Sequence, residues 1–78
     1  MPENVVGPQI RKLRYRQSLT QDALAARCAR LGWDVSRGTV AKVEAQVRCV
    51  SDSEMLVFAR ALKVGVDALY PPTGKTQR

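Results

Sequence analysis

The sequence predicts an all-α fold, a compact bundle of five short helices. Three observations carry that prediction. Aromatic residues make up only 5% of the chain and the apolar residues are mainly Leu, Val and Ala, which close a small helical core with few large side chains. Apolar positions recur at helical spacing, and no stretch shows the strict alternation of a half-buried strand. Finally, an apolar residue precedes each proposed cap and another follows the cap by four, at Leu19/Thr20/Leu24, Val35/Ser36/Val40, Val50/Ser51/Met55 and Val64/Gly65/Leu69. This hydrophobic staple fixes the angle at which a chain enters a helix.

The first helix is predicted over 7–17, with Pro8 suited to a first helical position and Ile10, Leu13 and Arg14 following at helical spacing. The second starts after Thr20, where Leu24, Cys28 and Leu31 form an i, i+4, i+7 stripe. A third begins after Ser36 with Val40 and Val43 inward. The fourth opens on Ser51-Asp52-Ser53-Glu54, a capping box, and buries Met55, Phe58, Ala59 and Leu62. The fifth is a short turn of helix over 66–69, ended by Pro71 and Pro72, and Gly65 is its weak cap because it has no side-chain acceptor. Residues 1–6 form an N-terminal arm, 7–70 the domain, and 71–78 a flexible C-terminal tail, polar and expected to fray over 73–78.

Composition bounds the function. At 78 residues the chain is one domain that buries roughly 60% of its unfolded surface. No apolar run approaches the roughly 20 residues of a membrane span. No basic stretch followed by an apolar one opens the chain, so a cytoplasmic protein without a signal peptide is expected. Two cysteines, Cys28 and Cys49, and no histidine fall short of a zinc site, and a reduced pair is expected over a disulfide. No nucleophile stands beside a base, no paired carboxylates have acid/base spacing, and no glycine loop cradles phosphate, so neither an enzyme nor a cofactor is expected. Net charge is +6, from 13 Lys and Arg against 7 Asp and Glu. That excess implies a polyanionic partner or simply solubility, and charge by itself does not choose between them.

The order of polar residues does choose. Ile10-Arg11-Lys12-Leu13-Arg14 is followed by Leu19-Thr20-Gln21-Asp22-Ala23-Leu24-Ala25, then by Val35-Ser36-Arg37-Gly38-Thr39-Val40-Ala41-Lys42-Val43-Glu44. The series closes with Ala61-Leu62-Lys63-Val64-Gly65-Val66-Asp67-Ala68-Leu69-Tyr70. In this order the pieces resemble the lambda-repressor/Cro-like, or XRE-type, helix-turn-helix family over 7–70. The resemblance implies a lambda-repressor-like bundle in which the helix over 36–44 lies in the major groove of double-stranded DNA. One departure stands out: Leu24 and Ser36 are 12 positions apart, further than the family's tight turn. Either the second helix is extended through Arg30 or the turn becomes a loop. The stripe reaching Leu31 and the stop at Gly32 favour the longer helix, and Trp33 would then cover its end.

In this architecture the residues near the start of the recognition helix point at base edges. These are Arg37, Gly38 and, one turn on, Lys42. Arg37 suits a two-point bond to guanine, worth roughly 1–3 kcal/mol of discrimination. Gly38 is unusual inside a helix; close approach of the backbone to DNA would explain it, and so would simple tolerance. By resemblance Gln21, Ser36 and Thr39 touch phosphates at helix N-termini, and Arg48 in the following loop grips a phosphate or enters a minor groove. Arg11 and Lys12 add to the field. The resemblance also pairs Arg14 with Glu44 as a structural ion pair between the first and third helices. Cys28 falls on the core stripe, and Cys49 sits beside Arg48. The implied function is a transcriptional regulator, a repressor on a pseudo-palindromic operator, with a homodimer possible through Leu56, Val57, Leu69 or Tyr70. The alternative is a protein-interaction module of the same fold, antitoxin-like or phage-encoded. A nucleoid-associated cytoplasmic location follows from the first reading.

Overall fold

The structure, a computed structural model, describes residues 1–72. Its elements are α1 (Gly7–Arg16), α2 (Gln21–Arg30), α3 (Arg37–Glu44), α4 (Asp52–Ala61) and a single 3-10 turn, Val66–Leu69. The described residues contain no strand. The fifth segment is a 3-10 turn, and the α-helices among the described residues number four. Only four residues lie between Gly65 and Tyr70, with Pro71 and Pro72 next, and Gly65 offers no capping side chain. Too little chain lies between those limits to build an α-helical ladder. The predicted frayed tail over 73–78 lies outside the described residues.

Three helices start on the caps that the sequence marks. Thr20 Oγ1 accepts from the Ala23 N–H at 3.0 Å, Ser36 Oγ from Thr39 at 3.1 Å and Ser51 Oγ from Glu54 at 3.2 Å. Glu54 Oε1 accepts from the Ser51 N–H at 3.1 Å, which completes the capping box. α1 starts differently. Val6 supplies no cap, and Asn4 Oδ1 instead accepts from the Gly7 N–H at 2.7 Å.

All four α-helices end alike. The residues at Ser18, Gly32, Gln46 and Lys63 are left-handed, with φ of 57°, 100°, 64° and 59°. At each end the next N–H reaches back over the last turn: Leu19 to the Arg14 carbonyl, Trp33 to Cys28, Val47 to Lys42 and Val64 to Ala59. This is the Schellman motif, which satisfies carbonyls that the ended helix leaves open. It resolves the alternatives for 29–34 in favour of a longer α2, closed by Gly32. Trp33 then packs edge-on against Phe58, with ring centroids 5.1 Å apart, as its expected covering role requires.

The core is Val6, Ile10, Leu13, Leu24, Cys28, Val35, Val40, Val43, Phe58, Leu62 and Leu69, with Ala25 and Ala59 between them. Burial in this apolar setting pushes the Cys28 thiol up to about 11, so it behaves as a small apolar side chain. Leu31 departs from its predicted place. The stripe of α2 runs past the core, Trp33 and Val35 close that end instead, and Leu31 stays 42% exposed. No described helix is long and apolar enough to cross a membrane.

Candidate nucleic-acid interface

α3 packs against α2 and α1, and its inner face is Val40, Val43 and Glu44, all buried. Helical spacing leaves Arg37, Gly38 and Lys42 on the outer face, and each is exposed. The three predicted base-reading positions therefore share one surface. The N–H groups of Arg37 and Gly38, in the first turn, have no intrahelical carbonyl to bond and open toward solvent. Gly38 has an ordinary backbone. A methyl group built on it would meet only Ser36 Oγ, at 3.7 Å. Nothing inside the protein calls for glycine at this position.

The outer face is braced from behind. Arg14 Nε donates to Glu44 Oε2 at 2.7 Å and Arg14 Nη2 to Oε1 at 3.0 Å, with both side chains buried. Arg14 Nη1 also donates to the Leu19 carbonyl at 2.8 Å, so one guanidinium joins α1, the α1–α2 turn and α3. The Glu44 hydrogen bonds raise the affinity of Arg14 for its proton, against the opposing effect of burial. Removing one partner strands the other charge, at roughly 3–5 kcal/mol.

Gln21 belongs to this network. Its Nε2 donates to Glu44 Oε1 at 3.1 Å, which leaves its carbonyl oxygen and its backbone N–H on the α2 N-terminus. Ser36 and Thr39 are bonded to each other through the cap, with hydroxyls 3.2 Å apart, at the foot of the same surface. An open cleft of about 440 Å³ joins these helix ends, lined by Arg14, Tyr15, Thr20, Gln21, Asp22 and Arg37. The Asp22 carboxylate favours the α2 dipole and opposes an anion at its own position.

Arg48 sits apart from the α2 and α3 N-termini. Nη1 and Nη2 donate to Glu54 Oε1 and Oε2 at 3.0 and 3.1 Å, and the guanidinium lies 5.9 Å over the Trp33 ring. Hydrogen bonding to Arg48 holds the Glu54 carboxyl below its usual range, against the opposing effect of burial. Cys49 is exposed, its thiol 3.5 Å from Glu3 Oε1.

Sequence reasoning missed three groups here. Tyr15, exposed, lies under both Arg11 and Arg14, whose guanidinium carbons are 5.4 and 4.6 Å from its ring centre. Hydrogen bonding from Arg11, then its charge and that of Arg14, draws the Tyr15 phenol below its ordinary value. The spacing of Arg11 and Tyr15, four apart on a helix, was the available signal. Asn4 donates to the Val43 and Arg48 carbonyls at 3.1 and 2.8 Å, tying the N-terminal arm to the end of α3. Gly7 lets that contact form, because any side chain there would collide with the Val43 carbonyl.

Neither a protein-family model nor a curated protein matches this sequence. Solved structures do. The restriction-modification controller protein C.AhdI from Aeromonas hydrophila is 31% identical, with a TM-score of 0.74 over 83% of this chain and 87% of that one. The clp gene regulator ClgR from C. glutamicum is 22% identical, with a TM-score of 0.75 over 86% and 80% of the two chains. A hypothetical transcription factor from Neisseria, NHTF, is 24% identical, with a TM-score of 0.78 over 96% and 80%. The latter two show the fold; the first is similar enough to show kinship.

Proposed function

Because the chain belongs to the lambda-repressor/Cro-like (XRE-type) helix-turn-helix family of transcription regulators, we propose that it binds a pseudo-palindromic operator with α3 in the major groove and represses by occupying it. The observation that carries this reading is the outer face of α3. Arg37 and Lys42 are exposed there, flank a bare Gly38, and are outside the ion pairs formed among the described residues. Arg37 reads guanine through O6 and N7, and Lys42 a second guanine or a phosphate. The backbone at Gly38 approaches the DNA closely.

Phosphate contacts orient the domain without reading sequence. Gln21, Ser36 and Thr39 supply them from the N-termini of α2 and α3, where the dipole favours an anion. Arg48 supplies another by exchanging Glu54 for a phosphate. Arg14 and Glu44 touch no DNA and hold the recognition helix in place.

Two copies then read two half-sites. Leu56 and Tyr70 are exposed beside Met55 and Val66, and form an apolar surface suited to a homodimer. Of the other two sequence candidates, Leu69 is fully buried and Val57 packs against the core. Selection from random duplexes, followed by footprinting, tests the proposal. The expected product is an inverted repeat with half-site centres roughly 34–36 Å apart, one helical turn. Recovery of no enriched sequence would refute it.

A further inference from the structure

One end of the bundle carries cations that neither the core nor the α3 surface uses. Arg27 and Arg30 lie in the last turn of α2, Arg60 in the last turn of α4 and Lys63 just after it. With Leu31 and Ala61 they line a shallow cleft of about 300 Å³. The ion pairs among the described residues are Arg14–Glu44 and Arg48–Glu54, so no described carboxylate neutralises these four cations. Arg27 is fixed at the rim: its Nη1 donates to Gln17 Oε1 at 3.2 Å and to the Ala61 carbonyl at 3.0 Å.

Helix dipoles account for part of this arrangement, since the carbonyl ends of α2 and α4 attract positive charge. Two features lie outside that account. Lys63 is left-handed, at a position where glycine costs least, yet it places a cation on the cleft. Leu31 exposes an apolar side chain among charges, where a polar residue would serve the helix end equally well. The cleft is also remote from the α3 surface. From Gln21 to Arg30, α2 rises about 13 Å, which puts the cleft at the opposite end of α2 from the clustered N-termini.

We infer that this cleft docks an acidic peptide segment of a partner protein. Carboxylates of the segment meet Arg30, Arg60 and Lys63, and one apolar side chain packs on Leu31. Charge complementarity selects the acidic occupant. The exposed Leu31 favours a peptide, which can place a whole apolar side chain on it, over a nucleic acid backbone, whose sugars offer only scattered C–H groups between phosphates. The inference stands independently of what α3 reads.

The test is a titration of the isotopically labelled full chain with a short synthetic peptide of Glu and Asp around one central Leu. Amide shifts are expected at 27–31 and 60–63. The Arg30→Ala/Arg60→Ala variant changes two exposed side chains, and its thermal midpoint confirms that it folds. It is expected to bind the peptide at least about tenfold more weakly while keeping its affinity for duplex DNA. A peptide with Ser in place of Leu is expected to bind more weakly to the wild type. Unchanged peptide affinity in the double variant would overturn the inference. So would shifts centred on Arg37 and Lys42, which would mark diffuse attraction to the basic chain. Tighter binding of a short duplex than of the peptide at this cleft would make it a second nucleic acid surface and overturn the peptide assignment.

Discussion

At Gly7 the backbone of α1 comes so close to the Val43 carbonyl that no side chain fits between them. Both sides of that contact are backbone, so neither moves aside cheaply. Gly7→Ala is therefore expected to lower stability by about 1–3 kcal/mol, the usual range for overpacking; a chemical denaturation midpoint equal to the wild type would contradict this. Gly38 is the opposite case. Its surroundings have room for a methyl group, and alanine favours the helix by about 0.5–1 kcal/mol. Gly38→Ala is expected to unfold at a higher denaturant concentration yet bind DNA more weakly. Equal or tighter DNA binding would show that the glycine is merely tolerated. The two glycines look alike in the sequence, which carries no sign of which one meets a distant carbonyl. Asn4 was hidden for the same reason, since its carbonyl partners lie 39 and 44 positions away. The Arg14–Glu44 pair was legible only through the family resemblance, since its partners lie 30 positions apart.

Helix starts were legible because a cap acts within three residues, as at Thr20, Ser36 and Ser51. Helix ends were legible only at Gly32. Ser18, Gln46 and Lys63 take the same left-handed conformation without the residue that signals it. The fourth helix shows how a local motif acquires a distant partner. Glu54 accepts from the Ser51 N–H as the capping box requires, and it also binds Arg48 through both oxygens. Arg48 in turn lies over Trp33, so the start of α4 and the end of α2 are joined through one side chain. Because Arg48 lowers the Glu54 pKa, the folded state gains stability that is fully present above the ordinary glutamate value of about 4.3. It is lost as pH falls through the lower folded value. Glu54→Gln is expected to flatten that part of the stability profile, followed by thermal unfolding from about pH 3 to pH 7. An acid limb as steep as the wild type's would assign the dependence to another carboxylate.

At the scale of the molecule, two groups of cations among the described residues stand apart, and their separation was invisible in a net charge of +6. Arg37 and Lys42 mark the outer face of α3, whereas Arg27, Arg30, Arg60 and Lys63 gather at the far end of α2. The all-α fold class, the starts of α2, α3 and α4 and the exposure of Arg37, Gly38 and Lys42 on one face follow from periodicity and capping. The placement of charge around them does not, because it depends on which helix ends meet. The central claim, that α3 reads bases through Arg37, is tested most directly by comparing duplex selection by the wild type and by Arg37→Ala, with affinities measured across a salt series. The account predicts that the variant loses preference at one guanine per half-site, with a cost of roughly 1–3 kcal/mol on the preferred duplex. Its log–log salt slope should stay within about one phosphate contact of the wild type's. An unchanged sequence preference, with affinity falling equally on every duplex, would make Arg37 a phosphate contact and contradict the claim.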